Sequence, residues 1–339
     1  MREPSFWWHE RTSAALALAP LAAAYGALAQ ARMSRRGQNV AVPVICIGNL
    51  TVGGAGKTPT ALATAQILKA AGERPMFLTR GYGGSLAGPI AVDPAKHRAF
   101  EVGDEPILLA SAAPTTVARD RVAGANFAIA RGATVIVMDD GFQNPALRKD
   151  LSVLVVDGRR AIGNGRVIPA GPLRAPLGAQ LRRAQALVLL EAAPRADAVV
   201  ADAHKRGIAV FRAQLRPDPQ FVAALGRGRV LAFAGIGDPD KFFATLASAG
   251  VAVASTRGFP DHHRYTQEEA RVLCEDADRE GHVLVTTEKD LVRLRGDDSV
   301  SVLAGQAHAL PVTLAFEEEE RFRSVLLETI SRTRAKKQK

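Results

Sequence analysis

The chain has 339 residues, which is long enough for two domains of ordinary size, and 47% hydrophobic residues with 23% charged residues indicate a globular protein. Two distant cysteines, Cys46 and Cys274, exclude a disulfide framework and favour a reducing compartment. The formal net charge of +10 indicates a partner of opposite sign, whose candidates are nucleic acid, anionic lipid and a phosphorylated substrate.

Residues 12–31, TSAALALAPLAAAYGALAQA, contain no charged side chain and are about as long as a membrane-spanning helix. Trp7 and Trp8 precede this run and arginines follow it, as in a helix at a membrane–water interface. The high alanine content and Pro20 argue against a full span, and Glu10 argues against a cleaved signal peptide. We therefore predict that residues 1–36 form a membrane-associated helix, with a soluble helix packed on the following domain as the alternative.

The stretch NLTVGGAGKTPT, residues 49–60, ends an apolar strand at 42–50 and precedes a segment of helical periodicity. A P-loop binds nucleotide phosphates in this strand–loop–helix context, although the first position of the pattern is Thr here and not Gly. Lys57 would reach the β- and γ-phosphates and the Thr58 hydroxyl would ligate Mg²⁺. A simple strand-to-helix turn with a surface lysine is the alternative. The predicted nucleotide-binding residues are Thr51, Val52, Gly53, Gly54, Ala55, Gly56, Lys57 and Thr58.

Carboxylates that are candidate Mg²⁺ ligands follow residues 133–138, whose apolar run predicts a buried strand. Asp139 and Asp140 lie at its carboxyl end, which is where parallel α/β sheets place ligands. Adjacent residues on a strand face opposite ways, so both carboxylates would reach one ion only if the chain turned there. We predict a Mg²⁺ ligand at Asp139 or Asp140, with the choice between them open.

Two arginines are candidates for binding a phosphate of the substrate. Arg80 lies in TRGYGG at the end of another predicted strand, and Arg174 lies in the proline-rich loop IPAGPLRAP, residues 168–176. The segment from 158 to 190 contains six arginines and no carboxylate, and an arginine on an ordered loop can bind a phosphate bidentately. A solvated basic surface is the alternative.

The motif VGDEP, residues 102–106, places Asp104 before an apolar helix. Spacing alone favours an acidic helix start stabilised by the helix dipole, and gives no reason to assign catalysis to Asp104.

A second, smaller α/β domain is predicted over residues 218–330, after a connecting strand at 206–217. Thr266 and Glu269 form a capping box that predicts a helix start, and Asp261, His262 and His263 lie on the loop before it. Adjacent histidines lack the spacing of a zinc site, so a histidine that pairs with a carboxylate across the cleft is the functional alternative. Residues 286–290, at the end of another strand, are candidates of the same kind.

The motifs together resemble the tetraacyldisaccharide 4'-kinase family. They occur in the family's order from the N-terminal helix to about residue 315, and Ala175 stands where the family often has Glu. They are GNLTVGGAGKTP, LTRGYGG, VGDEP, MDDGFQNPALRKDLSVLVVD, IPAGPLRAP, AFAGIGDPDKFF, GFPDHHRYT and TTEKDLVRL.

The resemblance implies a P-loop NTPase-like parallel sheet domain at 37–205, a smaller α/β domain that closes on it, and a basic tail at 331–339. It implies an ATP- and Mg²⁺-dependent kinase that phosphorylates the 4'-hydroxyl of an acylated disaccharide 1-phosphate at the cytoplasmic face of the inner membrane. It also implies that Asp104 acts as the base and that His262 orients or tunes it, with Lys57 at the phosphates.

Two other classes compete with this interpretation. A regulatory P-loop ATPase or GTPase is possible, although the guanine-reading N-K-x-D signature is absent from the sequence. A nucleic-acid-binding protein with a degenerate P-loop would need basic residues along a groove and aromatic stacking platforms, whereas aromatic residues make up only 5% of the chain. We therefore expect a lipid surface as a partner, no nucleic acid and no obligate protein partner.

Overall fold

The computed structural model describes residues 3–9 and 12–337, so Glu10, Arg11 and the last two residues of the predicted basic tail lie outside the described part. The described strands are β1 (Val44–Asn49), β2 (Pro75–Thr79), β3 (Ile90–Ala91), β4 (Thr115–Val117), β5 (Val135–Asp139), β6 (Leu151–Asp157), β7 (Ala186–Leu190), β8 (Ala209–Pro217), β9 (Val230–Ala234), β10 (Val253–Gly258), β11 (Val283–Thr287), β12 (His308–Leu310) and β13 (Val312–Phe316).

The described α-helices alternate with these strands, as expected for an α/β protein. They are α1 (Ser13–Ala17), α2 (Ala19–Met33), α3 (Lys57–Ala70), α4 (Ala99–Val102), α5 (Asp104–Ala112), α6 (Arg121–Ala130), α7 (Leu177–Leu181), α8 (Asp197–Lys205), α9 (Pro219–Leu225), α10 (Pro239–Ser248), α11 (Gln267–Glu280), α12 (Glu288–Arg295), α13 (Ser301–Gln306) and α14 (Glu319–Lys337).

The larger domain is built on a sheet whose order, among the described residues, is β13-β8-β7-β6-β1-β5-β2-β4-β3. Its seven central strands, from β8 to β4, run parallel, and β13 and β3 are antiparallel at the two edges. Strands β1, β5 and β6, in the middle of the sheet, are mostly apolar runs buried along their whole length, as is typical of parallel sheets. One face is covered by α3, α5 and α14, and the other by α2, α6 and α8. The strand order places the carboxyl ends of β1 and β5 side by side.

The smaller domain has the parallel sheet β10-β9-β11-β12, counted over the described residues. Helices α11, α12 and α13 cover one face, and α9 and α10 cover the other. The predicted capping box forms, because Thr266 accepts from the Glu269 N–H and Glu269 accepts from the Thr266 N–H.

Sheet membership divides the chain differently from the predicted boundaries. The segment predicted as a connecting strand, 206–217, contains β8 of the large sheet, and β13 and α14 also return to that sheet. Phe316 and Phe322 stack with ring centroids 4.4 Å apart, and Leu326 and Ile330 are buried under α3. The smaller domain is therefore inserted between Pro217 and Val312, which are paired across β8 and β13.

The N-terminal helices lie against the larger domain and also present an apolar face to solvent. Trp7 is buried and its indole N–H donates to the Pro169 carbonyl at 3.0 Å, so this side chain anchors the segment to the protein and does not form part of an exposed aromatic belt. Leu16, Leu21 and Leu28 are exposed on α1 and α2. Within residues 3–9 and 12–337, no helix combines the length and the hydropathy needed to cross a bilayer.

Candidate active site

The predicted P-loop joins the end of β1 to the start of α3 at the centre of the large sheet. Gly53 and Gly56 have φ angles of 91° and 86°, a conformation that glycine adopts without strain, and a Cβ on Gly56 would collide with Leu190. The Asn49 side chain donates to the Thr51 carbonyl at 2.7 Å and holds the loop in shape. The loop is therefore preorganised to direct backbone N–H groups at an anion in front of α3.

The proline-rich loop braces the phosphate loop from one side. Thr51 forms a backbone bridge with Leu173, and the Val52 N–H donates to the Pro172 carbonyl at 2.9 Å. Arg174 donates from Nε to the Thr51 carbonyl at 2.9 Å and from Nη1 to Asp140 Oδ1 at 2.8 Å. Arg174 thus orders the nucleotide end of the cleft, and its predicted bidentate contact with a substrate phosphate stays a prediction.

Asp139 and Asp140 have different surroundings. Asp140 has a φ of 52°, so the chain turns directly after β5, and its carboxylate pairs with Arg174 and lies 4.0 Å from the Lys57 ammonium. Asp139 is fully buried, and neither of its carboxylate oxygens has a hydrogen-bond partner among the described residues. Burial, followed by the negative charge of Glu105, raises the pKa of Asp139 to about 7.

These observations fit a metal ion at this place. A buried carboxylate with two free oxygens is strongly disfavoured without a cation, and oxygen donors are the ligands that Mg²⁺ prefers. Thr58, buried at the first turn of α3, carries the hydroxyl that the P-loop pattern predicts as a Mg²⁺ ligand. Asp139 and Thr58 are therefore the residues that would hold Mg²⁺, while Asp140 is neutralised by cationic side chains.

Asp104 and His262 meet across the two domains, as the family resemblance implies. Asp104 begins α5, and its Oδ2 lies 3.3 Å from Nδ1 of His262. His262 has a φ of 56°, and its N–H donates to the Gly235 carbonyl at 3.1 Å, so a tight turn directs the imidazole towards α5. Burial opposes ionisation of Asp104, but the hydrogen bond with His262 and the charges of Arg293 and Lys289 outweigh it and lower the pKa of Asp104 well below its usual range. The hydrogen bond to Asp104 in turn raises the pKa of His262.

The neighbouring histidine has a structural role. His263 Nε2 lies 2.9 Å from Glu269 Oε2 at the capped start of α11, and its ring stacks on Phe259. The adjacent histidines therefore face different partners and are not ligands of one metal.

A cleft of about 720 Å³ lies between the domains. It contains the P-loop from Val52 to Thr58 and is also lined by His262, Arg80 and Arg174, so predicted residues of both domains face one cleft. The predicted residues Thr51, Asp104 and Asp139 are buried and do not line it. Arg80 is exposed at the cleft, where its guanidinium is accessible to a ligand. At its outer rim the cleft is lined by Tyr25 and Leu28 of α2.

Several contacts of the site are not predicted by the sequence. Arg293 and Lys289 of α12 contact Asp104 and Glu105 across the cleft, and the ring of Tyr82 lies 5.1 Å from that of His262. Lys289 belongs to the candidate segment 286–290, but the sequence gives no indication of its partner Glu105. The available signal for Arg293 was its spacing from Lys289, since residues four apart share a helix face.

The fold and the site define a class: a P-loop phosphotransferase whose nucleotide site is closed by a second α/β domain. The family model described as LpxK, tetraacyldisaccharide-1-P 4'-kinase, matches residues 14–331. The tetraacyldisaccharide 4'-kinase of Rhodopseudomonas palustris strain BisA53 is 54% identical over 98% of this chain and 97% of its own, and that of Methylobacterium nodulans is 55% identical over 94% and 93%. A crystal structure of LpxK from Aquifex aeolicus in complex with ATP superposes with a TM-score of 0.71 at 28% identity, covering 93% of this chain and 99% of that one.

The chain belongs to the tetraacyldisaccharide 4'-kinase family, which confirms the resemblance inferred from the ordered motifs. It is an ATP-dependent kinase of lipid A biosynthesis, and the mixed α/β fold with a large parallel sheet agrees with the expected fold class.

Proposed function

We propose that the interdomain cleft transfers the γ-phosphoryl group of ATP to the 4'-hydroxyl of a tetraacylated disaccharide 1-phosphate, with Asp104 as the base. The observation that carries this assignment is the 3.3 Å contact between Asp104 and His262, because it joins the two domains and His262 lines the same cleft as the P-loop. Asp104 takes the proton of the acceptor hydroxyl, whose oxygen bonds to the γ-phosphorus while the bond to the β–γ bridging oxygen breaks and ADP departs. His262 orients Asp104 and shares the proton.

Lys57 and the loop N–H groups stabilise the charge that spreads over the phosphoryl oxygens. Mg²⁺, held by Thr58 and Asp139, would neutralise phosphate charge. The buried, unpartnered Asp139 oxygens support this placement.

Arg80 is the stronger candidate for contact with a substrate phosphate, because its side chain is exposed at the cleft. Arg174 is already bonded to Asp140 and to the Thr51 carbonyl, so its contribution to substrate binding is indirect.

The acylated substrate is expected to be reached from the cytoplasmic face of the inner membrane. The exposed leucines of α1 and α2 and the extension of the cleft to Tyr25 and Leu28 support a peripheral attachment through this segment. We expect no nucleic acid and no obligate protein partner to be required.

The assignment of the base is tested with Asp104→Ala, His262→Ala and the double variant, assayed for ATP turnover with and without a lipid disaccharide monophosphate. Asp104→Ala should lower kcat by several orders of magnitude with little change in the KM for ATP. His262→Ala should cost about 10²-fold, a usual value for acid–base assistance. The double variant should be little worse than Asp104→Ala, since residues that act as a unit are not additive.

Costs that multiply in the double variant would show that His262 acts independently of Asp104. Turnover that ignores the lipid acceptor would favour a regulatory ATPase.

A further inference from the structure

We propose that Arg293, on the smaller domain, is a positioning residue that fixes the Asp104 carboxylate for reaction with the acceptor hydroxyl. This inference rests on the proposed role of Asp104 as the base, and it adds a residue from the opposite domain to the catalytic arrangement.

The contact between Arg293 and Asp104 is short and buried. Arg293 Nε lies 2.7 Å from Asp104 Oδ2, with side chains that are 9% and 3% exposed. An ion pair withdrawn from water to this extent is weakly screened, and removing one partner leaves an uncompensated charge.

Arg293 is held in place on its own domain before it reaches Asp104. Its Nη1 donates to the Gly235 carbonyl at 2.7 Å and to Asp290 Oδ1 at 2.8 Å. Asp290 is fully buried and also accepts from the Tyr265 hydroxyl at 2.9 Å and from the Gly235 N–H at 3.0 Å. The guanidinium therefore has a fixed orientation, which a surface arginine would lack.

Arg293 determines which lone pair of Asp104 remains available. A carboxylate offers about four acceptor positions. Oδ2 of Asp104 is occupied by Arg293 and His262, and Oδ1 accepts the Glu105 N–H at 2.9 Å. Among the contacts of the described residues, one position on Oδ1 is left for a hydroxyl. Rotation of the carboxylate is blocked as long as Arg293 is bound, so the base is presented in one orientation.

Lys289 fixes the position of α12 relative to α5, and with it the contact between Arg293 and Asp104. It lies one turn before Arg293 on α12 and pairs with Glu105 at 2.6 Å, next to Asp104 on α5. Two cations four residues apart thus meet two adjacent acids, and a shift of α12 by one turn would break both pairs. The charged groups that face Asp104 are Arg293, His262, Lys289 and Glu105.

The test uses the full-length enzyme with Arg293→Met and Arg293→Lys, each in the wild-type and the Asp104→Ala background. Single-turnover transfer from radiolabelled ATP measures the slow rates. Arg293→Met should lower the rate about 10²-fold with the KM for ATP changed less than about threefold, and Arg293→Lys should recover about tenfold. In the Asp104→Ala background, Arg293→Met should cost less than about threefold, because the group it positions is gone.

An equal loss in both backgrounds, or a rise in the KM for ATP without a fall in rate, would overturn the positioning role. Tyr265→Phe keeps every charge and loosens only Asp290, so it should lower the rate a few-fold, again only when Asp104 is present. Arg271→Met, an exposed arginine of α11, is the matched control. An Asp104→Ala variant with wild-type rate would instead refute the proposed base, which is a separate outcome.

Discussion

The Lys57 side chain is buried, and the ion pair between its ammonium and Asp140 is long. Lys57 is the first residue of α3, and its ammonium lies 4.0 Å from Asp140, beyond hydrogen-bonding distance. We expect Lys57→Ala to lower kinase activity at least about 10³-fold while the protein stays folded, because the side chain serves the phosphates and not the core. The measurement is turnover together with circular dichroism. Lys69→Ala, in the last turn of the same helix, is the control, and near-normal turnover of a folded Lys57→Ala protein would contradict the P-loop assignment.

Asp139 makes stability depend on pH and on the metal. In the folded protein the pKa of the Asp139 carboxyl is about 7, above the ordinary value of 3.8. The protonated carboxyl therefore contributes fully to the free energy of unfolding below about pH 4, and this contribution is lost as the pH rises to about 7. Asp139→Asn resembles the protonated form at every pH. Without metal at pH 8, this variant should therefore melt a few degrees above the wild type, with little difference near pH 4.

The same melting experiment tests the metal site. Wild-type protein should gain thermal stability when Mg²⁺ is added to ATP, and Asp139→Asn should lose most of that gain. Asp278→Asn, an exposed acid of α11, is the control. A lower melting temperature for Asp139→Asn at pH 8 without metal would show that the carboxylate has stabilising partners in the apo protein.

At single residues, local motifs were predictable and long-range partners were not. The loop from Thr51 to Thr58 and the capping box at Thr266 depend on neighbours within a few positions, so their patterns are visible in the sequence. The partner of Asp104 is Arg293, 189 positions away, and no local spacing encodes that distance. Likewise, the sequence left Asp139 and Asp140 equivalent, because their difference arises from Arg174 on another loop.

Among the helices, α2 has two faces with different surroundings. Its buried side packs on the larger domain through Ala22 and Met33, so deletion of residues 1–36 would also remove core contacts. Exposed leucines offer a cleaner test of membrane attachment, since Leu21 is 62% and Leu28 is 69% exposed. We expect Leu21→Ser/Leu28→Ser to weaken sedimentation with anionic vesicles about tenfold or more, because each buried apolar side chain contributes about 1.5–3 kcal/mol.

The double variant should keep its melting temperature and its ATP turnover with a water-soluble acceptor. Val302→Ser, 67% exposed on the smaller domain, is the control for loss of a surface apolar residue. Unchanged vesicle binding by the leucine variant would place the attachment elsewhere on the protein.

The assignment of β13 and α14 shows what an element's own sequence cannot specify. VTLAF, residues 312–316, has the composition of a strand and would suit an edge of either sheet. Its place beside β8 is decided by tertiary packing, in which Leu314 and the helix behind it complete the core around α3. The βα units of the smaller domain were predictable, because strand, turn and capped helix follow one another locally.

Ion pairs at the start of α10, where Asp238 and Lys241 line the cleft, hold the two domains together. Lys241 pairs with Asp157 at 2.5 Å, both largely buried, and Arg160 pairs with Asp238 at 3.0 Å. Lys241→Met should leave the buried Asp157 without a charged partner and destabilise the closed arrangement by about 3–5 kcal/mol. The expected result is a larger radius of gyration by small-angle X-ray scattering and a higher KM for ATP.

The double variant Lys241→Met/Asp157→Asn should recover part of the closed population, because no unpaired charge is then buried. Arg257→Met breaks only an exposed pair within the smaller domain and should change neither quantity. A compact Lys241→Met protein with normal KM would show that other contacts suffice to close the cleft.

The insertion of the smaller domain between Pro217 and Val312 also determines the order in which the two domains are completed during synthesis on the ribosome. The smaller domain is contiguous, so all of its strands have emerged once β12 has been made. The larger domain lacks its edge strand β13 and α14 until these later segments have been made. At roughly 5–20 residues per second this delay lasts seconds, during which the edge of β8 and the apolar side of α3 lack their covering. A nascent chain truncated before α14 would expose this surface. The larger, nucleotide-binding domain is therefore complete only when α14 covers it.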